Sequence, residues 1–281
     1  MTSALFGAPT QAHSAWRRTQ RAVARWGWVG LVCGALVGAV AFAPAAWLAN
    51  MVSAASGERV QLADARGTVW AGSAMPVLTG GAGSRDAAAL PGRLTWTLGW
   101  QGSGLRLEAR QACCLNGALG LRIAPGFGGW RFELQRPPGA AAIGQWPAGW
   151  LAGLGTPWNT LQPGGTLRLA SPGLALDGAA GGWRMSGRLD VELSDTSSRV
   201  STLPILGSYR LSLVGNPAGA AEVQLSTLEG LLQLAGSGQW SASSFRFRGE
   251  AHAAEGAEAA LDNLLNIIGR RQGARAVISI G

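Results

Sequence analysis

The sequence of 281 residues contains no lysine, one tyrosine, two histidines and three cysteines, and only 14% of its residues are charged. Charged residues make up about a quarter of an average globular chain, and disordered chains are poor in apolar residues. Here 47% of the residues are hydrophobic, so a charge-rich disordered chain is excluded. The 43 glycines follow no three-residue period, which excludes collagen.

The scarcity of histidine limits the chemistry that the chain can support. His13 lies near the N-terminus and His252 stands alone, so neither a zinc site nor a Ser-His-Asp triad is indicated. Asp190, Glu192 and Asp195 come closest to a pair of catalytic carboxylates, but Asp190 and Glu192 share the polar face of a predicted strand. We therefore predict that the protein is not an enzyme and has no metal or other cofactor.

The net charge of +8 is distributed unevenly along the chain. Arg17, Arg18, Arg21 and Arg25 all precede the first acidic residue, Glu58. From there onward the arginines exceed the 15 acidic residues by only four and form no basic cluster. Nucleic-acid binding needs a concentrated basic surface, so it is not indicated.

The stretch between Arg25 and Glu58 carries no charged residue. Its apolar centre, residues 26–51, is longer than the roughly 20 residues that a helix needs to cross the hydrocarbon core of a bilayer. Trp26 and Trp28 stand at one end of it, where indole rings favour the membrane interface. We therefore predict a single transmembrane helix over residues 26–51.

The arginines that precede this helix predict its orientation. With no arginine after it until Arg59, residues 1–25 are expected in the cytoplasm and residues 52–281 in the periplasm, with a bacterial inner membrane as the setting. A cleaved signal peptide is the alternative, because Ala43–Ala45 resembles a cleavage site. The apolar run of a signal peptide is normally only about 7–15 residues long, so an uncleaved anchor is the preferred interpretation.

Short runs of alternating apolar and polar residues fill the predicted periplasmic region, and glycine-rich turns separate them. This pattern predicts a mainly β domain of antiparallel hairpins, with the arginines on solvated strand faces. A segment rich in proline and tryptophan, residues 137–160, is a possible join between two portions of the sheet. The runs are 93–98, 105–108, 165–169, 189–193, 209–213, 222–225 and 245–250.

One amphipathic helix is predicted near the C-terminus, over residues 254–268. Leu261, Leu264, Leu265 and Ile268 share one face of it, at the i, i+3, i+4, i+7 spacing. Packing of this face against the sheet is the preferred interpretation, and a groove for a partner is the alternative. A closing strand is expected over the last residues, 274–280.

Glycine and tryptophan provide the other candidate structural or interaction residues. Gly67 and Gly72 are expected to form a turn or bulge around a strand, and Trp70 to anchor that strand in the core. Trp96 and Trp240 belong to a set of tryptophans spaced about one per predicted hairpin. That spacing is typical of core anchors, whereas stacking on a ligand is the alternative.

The cysteines form no disulfide framework within one chain. Cys33 lies in the predicted anchor, and Cys113 and Cys114 are neighbours. The adjacent pair can close a small ring, bridge to another chain or remain as two thiols.

The order of these features resembles the protein N family of the bacterial type II secretion system, also called general secretion pathway protein N. Members have a short cytoplasmic tail, one membrane helix and a periplasmic β-rich domain, so the resemblance implies the same architecture here. The stretches that carry it are Ala65–Gly72 (ARGTVWAG), Gly92–Leu98 (GRLTWTL), Leu206–Leu211 (LGSYRL), Leu228–Trp240 (LEGLLQLAGSGQW) and Leu264–Arg271 (LLNIIGRR).

The resemblance implies a non-enzymatic accessory subunit of the inner membrane that supports export of folded proteins from the periplasm across the outer membrane. Such a subunit would act through contacts with other secretion subunits, either in the inner-membrane platform or in its link to the secretin. The alternative, which rests on the alternating strands, is a membrane-anchored periplasmic module that binds or transfers lipid in a β-groove. Neither nucleic acid nor a small-molecule substrate is expected as a partner.

Overall fold

A computed structural model describes residues 11–126, 129–135, 142–179, 182–216, 219–241 and 244–281, with side chains from Trp26 onward. The chain divides into two compact units, and the boundary along the chain lies between Ala43 and Pro44. The first ten residues of the predicted cytoplasmic tail, and residues 137–141 of the predicted join, lie outside the described residues.

The first unit contains one helix, α1 (Gln11–Ala41). Its large apolar side chains from Trp26 to Val40 are exposed. Within the described residues, we find no helix that combines the length and the apolarity required to cross a membrane. The predicted span of residues 26–51 is shared between α1 and a second helix, α2 (Ala45–Ala55), whose N-cap is Pro44. A proline disfavours helical conformation in the residue before it, which explains the break.

The second unit, Pro44–Gly281, is mainly β, as predicted. After α2 it contains sixteen described strands, one 3₁₀ helix (Ala148–Leu154) and two further α-helices, α3 (Trp158–Leu161) and α4 (Glu258–Ile268). The strands are β1 (Val60–Gly67), β2 (Ala71–Thr79), β3 (Ala87–Ala89), β4 (Leu94–Gln101), β5 (Gly104–Arg110), β6 (Leu119–Gly126), β7 (Gly129–Gln135), β8 (Gly144–Pro147), β9 (Gly164–Ala179), β10 (Gly182–Ser197), β11 (Gly207–Gly215), β12 (Ala221–Gly230), β13 (Leu232–Trp240), β14 (Phe245–Ala253), β15 (Arg270–Gln272) and β16 (Arg275–Ile280).

All sixteen described strands belong to one antiparallel sheet. Their order is β1-β2-β4-β5-β6-β7-β9-β10-β11-β12-β13-β14-β16-β15, with β3 beside β2 and β8 beside β9. The long strand β9 pairs with β8 over its first half and with β7 over its second half. The sheet is therefore continuous on both sides of the predicted join at residues 137–160.

The alternation of residues gives the sheet one apolar and one polar face. In β10, Leu189, Val191 and Leu193 lie opposite Leu213, Leu211 and Tyr209 of β11, whereas Asp190 lies opposite Ser212 and Glu192 opposite Arg210. The same alternation continues through the neighbouring strands, where apolar residues again lie opposite apolar residues on both sides of the bulge in the β9–β10 pair.

Helices cover the apolar face beside the first strands and beside the last strands of the sheet. Beside the first strands, Ala45 and Leu48 of α2 pack with Leu62, Ala74 and Trp96. Beside the last strands, α4 packs on β11, β13, β14 and β16. Between these covers, the leucines of β5, β6 and β9 are only half-buried.

The strand ends define two ends of the sheet. We call the end that carries the β1–β2, β4–β5, β6–β7, β9–β10, β11–β12 and β13–β14 connections the hairpin rim. Antiparallel pairing places all six connections at this end. Pro44, the first residue of the second unit, forms a β-bridge with Thr68 in the β1–β2 turn, so the chain enters the sheet at the hairpin rim.

Candidate functional site

The predicted Gly67–Gly72 element forms the tight turn between β1 and β2. Gly67 has a φ of +87°, a conformation that glycine adopts without steric cost. The backbone N–H of Thr68 donates to the carbonyl of Ala71 at 2.8 Å, and the hydroxyl of Thr68 accepts from the N–H of Ala71 at 3.1 Å. The prediction that these glycines build a turn matches the structure.

Trp96, and not Trp70, is the buried tryptophan of this region. The indole of Trp96 is 4% exposed, and its Nε1 donates to the carbonyl of Val69 at 3.1 Å. A Cβ added to Gly72 would lie 2.5 Å from the Trp96 ring, so the glycine makes room for the indole. Trp70 lies in the turn and is half-buried. Its backbone carbonyl accepts from the N–H of Leu98 on β4 at 2.7 Å, and its role as an anchor of the strand stays a prediction.

The leucine face of α4 is buried inside the unit. Leu261, Leu264 and Leu265 are buried in one cluster with residues of β11, β13, β14 and β16, and the half-buried Ile268 packs against it. This matches the preferred interpretation that the helix packs on the sheet, and no surface groove forms along these residues. The helix begins at Glu258, four residues later than predicted, and the closing strand is present as β16.

Most of the tryptophans in the strands are not core anchors. Four of them lie within three residues of the hairpin rim, on the apolar side of their strands. Helices α2 and α4 do not extend over these strand ends, so the rings meet solvent. The exposed fractions are 76% for Trp100, 57% for Trp130, 50% for Trp183 and 45% for Trp240. The predicted role of Trp240 as a core anchor is therefore wrong.

Ion pairs within strands and between neighbouring strands occupy the middle of the polar face. Glu192, for example, lies between Arg168 on β9 and Arg210 on β11, at N–O distances of 3.5 and 2.7 Å. The arrangement neutralises the arginines that the sequence shows along the strands. The pairs within one strand are Arg106–Glu108, Arg110–Glu108, Arg131–Glu133 and Arg188–Asp190, and the pairs between neighbouring strands are Arg122–Glu133, Arg131–Asp177, Arg168–Glu192 and Arg210–Glu192.

The carboxylates considered for catalysis do not form an acid–base pair. Burial acts to raise the pKa of Asp190, but hydrogen bonds from Arg188 and Ser212 outweigh it, and the pKa is lowered. Glu192 is bound by its two arginines. Asp195 is exposed at a bulge, with a φ of +53°. A general acid needs a pKa near the operating pH. The pKa of Asp190 is instead lowered from its ordinary value of 3.8, which moves it away from that range.

An open groove of about 570 Å³ crosses the polar face near the hairpin rim. Residues of β11, β12, β13, β14 and β16 line it, among them Gln224, Gln239, Arg246 and Arg248. Unlike the arginines in the middle of the face, Arg246 and Arg248 make no ion pair with a described residue. The sequence suggested that the excess of arginines over acidic residues after Glu58 is spread evenly along the strands. In the structure, part of this excess positive charge is concentrated in the groove.

Metal sites in proteins require a set of ligating side chains close together. No cluster of three or more His, Cys, Asp or Glu side chains able to hold a metal occurs in the part of the chain that the structure describes. His252 lies on β14, paired with Gln233 and Arg275 of the adjoining strands.

Comparison with known proteins identifies the family. The family model described as type II secretion system (T2SS), protein N, matches residues 58–278, which extends from before β1 into β16. The chain belongs to this family. Membership makes it an accessory component of type II secretion, a protein-transport system of the bacterial envelope. Searches of the curated proteins and of the solved structures found no significant match.

The T2SS protein N match covers β1 to β15 and the first four residues of β16, and it does not include α1. All five stretches that suggested the family fall within it. They correspond to the β1–β2 turn, strand β4, the start of β11, the β12–β13 hairpin and the end of α4 with β15. These stretches lie in strands, in turns between strands and at the end of α4. The residues that resemble the family are therefore ones that form the sheet and its cover.

The outer edges of the family's sheet in this chain are β1 and β15. β1 is interrupted by a bulge at Asp64, which has a φ of +49°. Asp64 pairs with Arg93 at 2.6 Å and with Arg66 at 2.8 Å, and hydrogen bonds from both lower its pKa. Because β15 has three residues, Ile278 to Ile280 of β16 have no outer neighbour among the described strands.

A vicinal disulfide joins Cys113 and Cys114 in the turn after β5, one of the three states that the sequence left open. The carbonyl of Cys114 accepts from the backbone N–H of Gln145 at 2.7 Å, and the N–H of Asn116 donates to Ile143 at 3.0 Å. The turn is thereby attached to the segment that leads into β8. Cys33 is a free, exposed thiol.

Sequence reasoning missed the exposed tryptophans of the hairpin rim. One signal was available, because each of these tryptophans lies within two residues of a glycine or serine that begins a turn. Alternation alone reports which face of a strand a residue occupies. It does not report whether another element covers that face.

Proposed function

We propose that the chain is a non-enzymatic inner-membrane subunit of the type II secretion system that supports protein export through contacts with other secretion subunits. The observation that carries the proposal is the family match over residues 58–278. The paired charges of the polar face support a binding role, because those carboxylates and arginines already neutralise one another.

In this proposal α1 is the membrane anchor and the sheet lies in the periplasm. The exposed apolar side chains of α1, such as Leu31, Leu36 and Val37, would contact lipid. At about 1.5 Å per residue, Trp26 to Ala41 extend about 24 Å. Long arginine side chains near a helix end reach towards the interface, so Arg25 and the residues before it can complete the crossing and remain on the cytoplasmic side.

Contacts with other subunits would use the exposed parts of the sheet. An uncovered strand edge accepts a further strand through its backbone N–H and C=O groups. The bulge at Asp64 weakens β1 as such an edge, whereas Ile278 to Ile280 of β16 offer a short regular one.

Crosslinking in intact cells followed by purification of the tagged full chain tests this function. Secretion subunits of the inner-membrane platform or the secretin link should be enriched over a control purification with an unrelated single-span inner-membrane protein that carries the same tag. Absence of every secretion subunit from the eluate would refute the proposal. Fusions of alkaline phosphatase after Gly281 and before Gln11 test the topology, with activity expected only for the C-terminal fusion.

A lipid-binding module is the second candidate, and the half-buried apolar face favours it. Leu105, Leu121, Leu174 and Leu189 lie on this face between the covers of α2 and α4, and each remains partly exposed. Native mass spectrometry of the full chain released from nanodiscs would detect a bound phospholipid. Leu121→Glu should abolish that adduct, and Arg122→Glu, on the opposite face, should keep it. Equal adducts in both variants would contradict a lipid site on this face.

A further inference from the structure

We propose that the hairpin rim of the sheet docks on the phospholipid surface of the membrane that holds α1. The inference rests on the proposed function in one respect, because it takes α1 as the anchor. It adds a second membrane contact, made by the sheet itself, and assigns the exposed tryptophans and the unpaired arginines of the rim to that contact.

The first observation is the row of exposed aromatic rings. Trp100, Trp130, Trp183 and Trp240 stand at the rim ends of β4, β7, β10 and β13, and Phe245 follows at the start of β14. Adjacent strands are about 4.8 Å apart, so the row extends over roughly 40 Å. Indole rings favour the interface between water and hydrocarbon, because one end of the ring is apolar and the N–H is polar.

Packing inside the protein does not account for this row. Among the described residues, Trp183 has one aromatic neighbour, Phe132, at a centroid distance of 5.5 Å, and Phe245 stacks on Phe247 at 6.4 Å, whereas Trp100, Trp130 and Trp240 have no such ring contact. Trp183 and Trp240 border a small pocket of about 50 Å³ above Ala221. Scattered exposed apolar residues are ordinary, but several large rings along one edge mark an interaction site.

The second observation is the position at which the chain enters the sheet. The bridge between Pro44 and Thr68 lies at the hairpin rim, and only Phe42 and Ala43 separate Pro44 from Ala41, the last residue of α1, so that Pro44 is the third residue after the helix. Three residues extend about 10 Å at most. If α1 crosses the membrane, the membrane surface is therefore close to the rim that carries the tryptophans and not to the opposite end of the sheet.

The third observation is the charge of the rim. Arg184, Arg246 and Arg248 lie on the polar face near the rim, and none makes an ion pair with a described residue. Glu222 lies in the same groove as Arg246 and Arg248 and accepts from Asn216 at 3.3 Å. Asp177 lies opposite Arg184 in the register of β9 and β10, but its ion pair is with Arg131. Unpaired arginines beside tryptophans suit a surface of lipid phosphates, since guanidinium groups bind phosphate in a bidentate manner.

The opposite end of the sheet lacks this combination. Its connections carry acidic residues such as Glu58, Asp86 and Glu229 together with the arginines Arg59, Arg85 and Arg199, so charge alone does not distinguish the two ends. The exposed tryptophans and the point at which the chain enters do distinguish them, and both favour docking by the hairpin rim.

Fluorine NMR of the full chain in nanodiscs tests the proposal. The protein is labelled with 5-fluorotryptophan, each resonance is assigned with a single Trp→Phe variant, and the nanodiscs contain phosphatidylethanolamine, phosphatidylglycerol and a headgroup spin label. We expect the Trp100, Trp130, Trp183 and Trp240 resonances to lose most of their intensity. Trp158, on α3 near the opposite end, should keep its intensity and serves as the internal control.

The α1 tryptophans separate the two possible failures. If Trp26 and Trp28 are broadened and the four rim tryptophans match Trp158, the anchor is inserted and rim docking is refuted. If Trp26 and Trp28 also keep their intensity, the anchor itself is wrong, and the rim proposal fails with it. Rim tryptophans that respond only after secretion subunits are added would identify a protein partner and refute lipid docking.

A charge variant tests the role of the arginines. Arg246→Gln with Arg248→Gln should reduce the broadening of Trp240, which is beside them, and leave that of Trp100 unchanged. The matched control is Arg275→Gln, at the far end of the adjoining strand β16, where the arginine pairs with Glu250. Unchanged broadening of Trp240 in the double variant would show that the arginines do not contact the lipid.

Discussion

The cover that α4 forms over the sheet predicts a large effect for Leu265→Ala. The side chain is 1% exposed and packs in the cluster that includes Leu232, Ala251 and Ala276. The substitution removes three carbon atoms, worth about 2.4 kcal/mol at ~0.8 kcal/mol per buried methylene, and it leaves a cavity whose lining loses contacts. We expect the free energy of unfolding to fall by about 3 to 4 kcal/mol.

Ile267→Ala is the matched control, since Ile267 lies on the same helix and is 38% exposed. It should cost less than about 1 kcal/mol. The assay is urea unfolding of the full chain in a mild detergent, followed by circular dichroism of the strands, with hydrogen exchange of α4 and β14 as a local measure. A cost for Leu265→Ala no larger than that for Ile267→Ala would refute the packing of α4 on the sheet.

Three further predictions concern the sheet itself. Gly72→Ala should lower the free energy of unfolding by about 1–3 kcal/mol through overpacking and shift the fluorescence of Trp96, because the new Cβ would lie 2.5 Å from its ring; a neutral effect in urea unfolding would contradict that contact. Glu192→Gln should cost only about 1 kcal/mol, because both of its arginine partners are partly exposed, and a loss several times larger in the same assay would contradict that estimate. The lowered pKa values of Asp64 and Asp190 stabilise the fold at pH values above 3.8, the ordinary pKa of aspartate. This contribution is lost as the pH falls through the lowered pKa values. The urea midpoints measured at pH 7 and at pH 3 should therefore differ less in Asp190→Asn than in the parent chain.

Local patterns in the sequence predicted the elements better than their surroundings. Alternation over residues 189–193 predicted a strand, which is part of β10, and the leucine spacing of α4 predicted its buried face. Both patterns depend on neighbours within a few positions of the chain. The break between α1 and α2 at Pro44 was missed because the hydropathy of a predicted span is averaged over many residues, so one proline changes it little. The steric effect of that proline on the residue before it is nevertheless enough to interrupt the helix.

Features that depend on long-range register could not be predicted. The pairing of Arg131 with Asp177 joins residues 46 positions apart, and it exists only because β7 pairs with the second half of β9. The same limit applies to the hairpin rim. The spacing of the tryptophans suggested about one per hairpin, but only the positions of α2 and α4 decide which parts of the apolar face remain open.

Site-resolved photocrosslinking in cells tests most directly whether the sheet is the contact surface of a secretion subunit. A photoreactive amino acid is placed in the full chain at Gln224 on the polar face, at Leu121 on the apolar face or at Ser279 on the β16 edge, and adducts are identified by mass spectrometry. Our account predicts adducts with secretion subunits from at least one of these positions and none from Leu265 in the buried cluster. Adducts with no secretion subunit at any sheet position, in cells that assemble the secretion system, would contradict it.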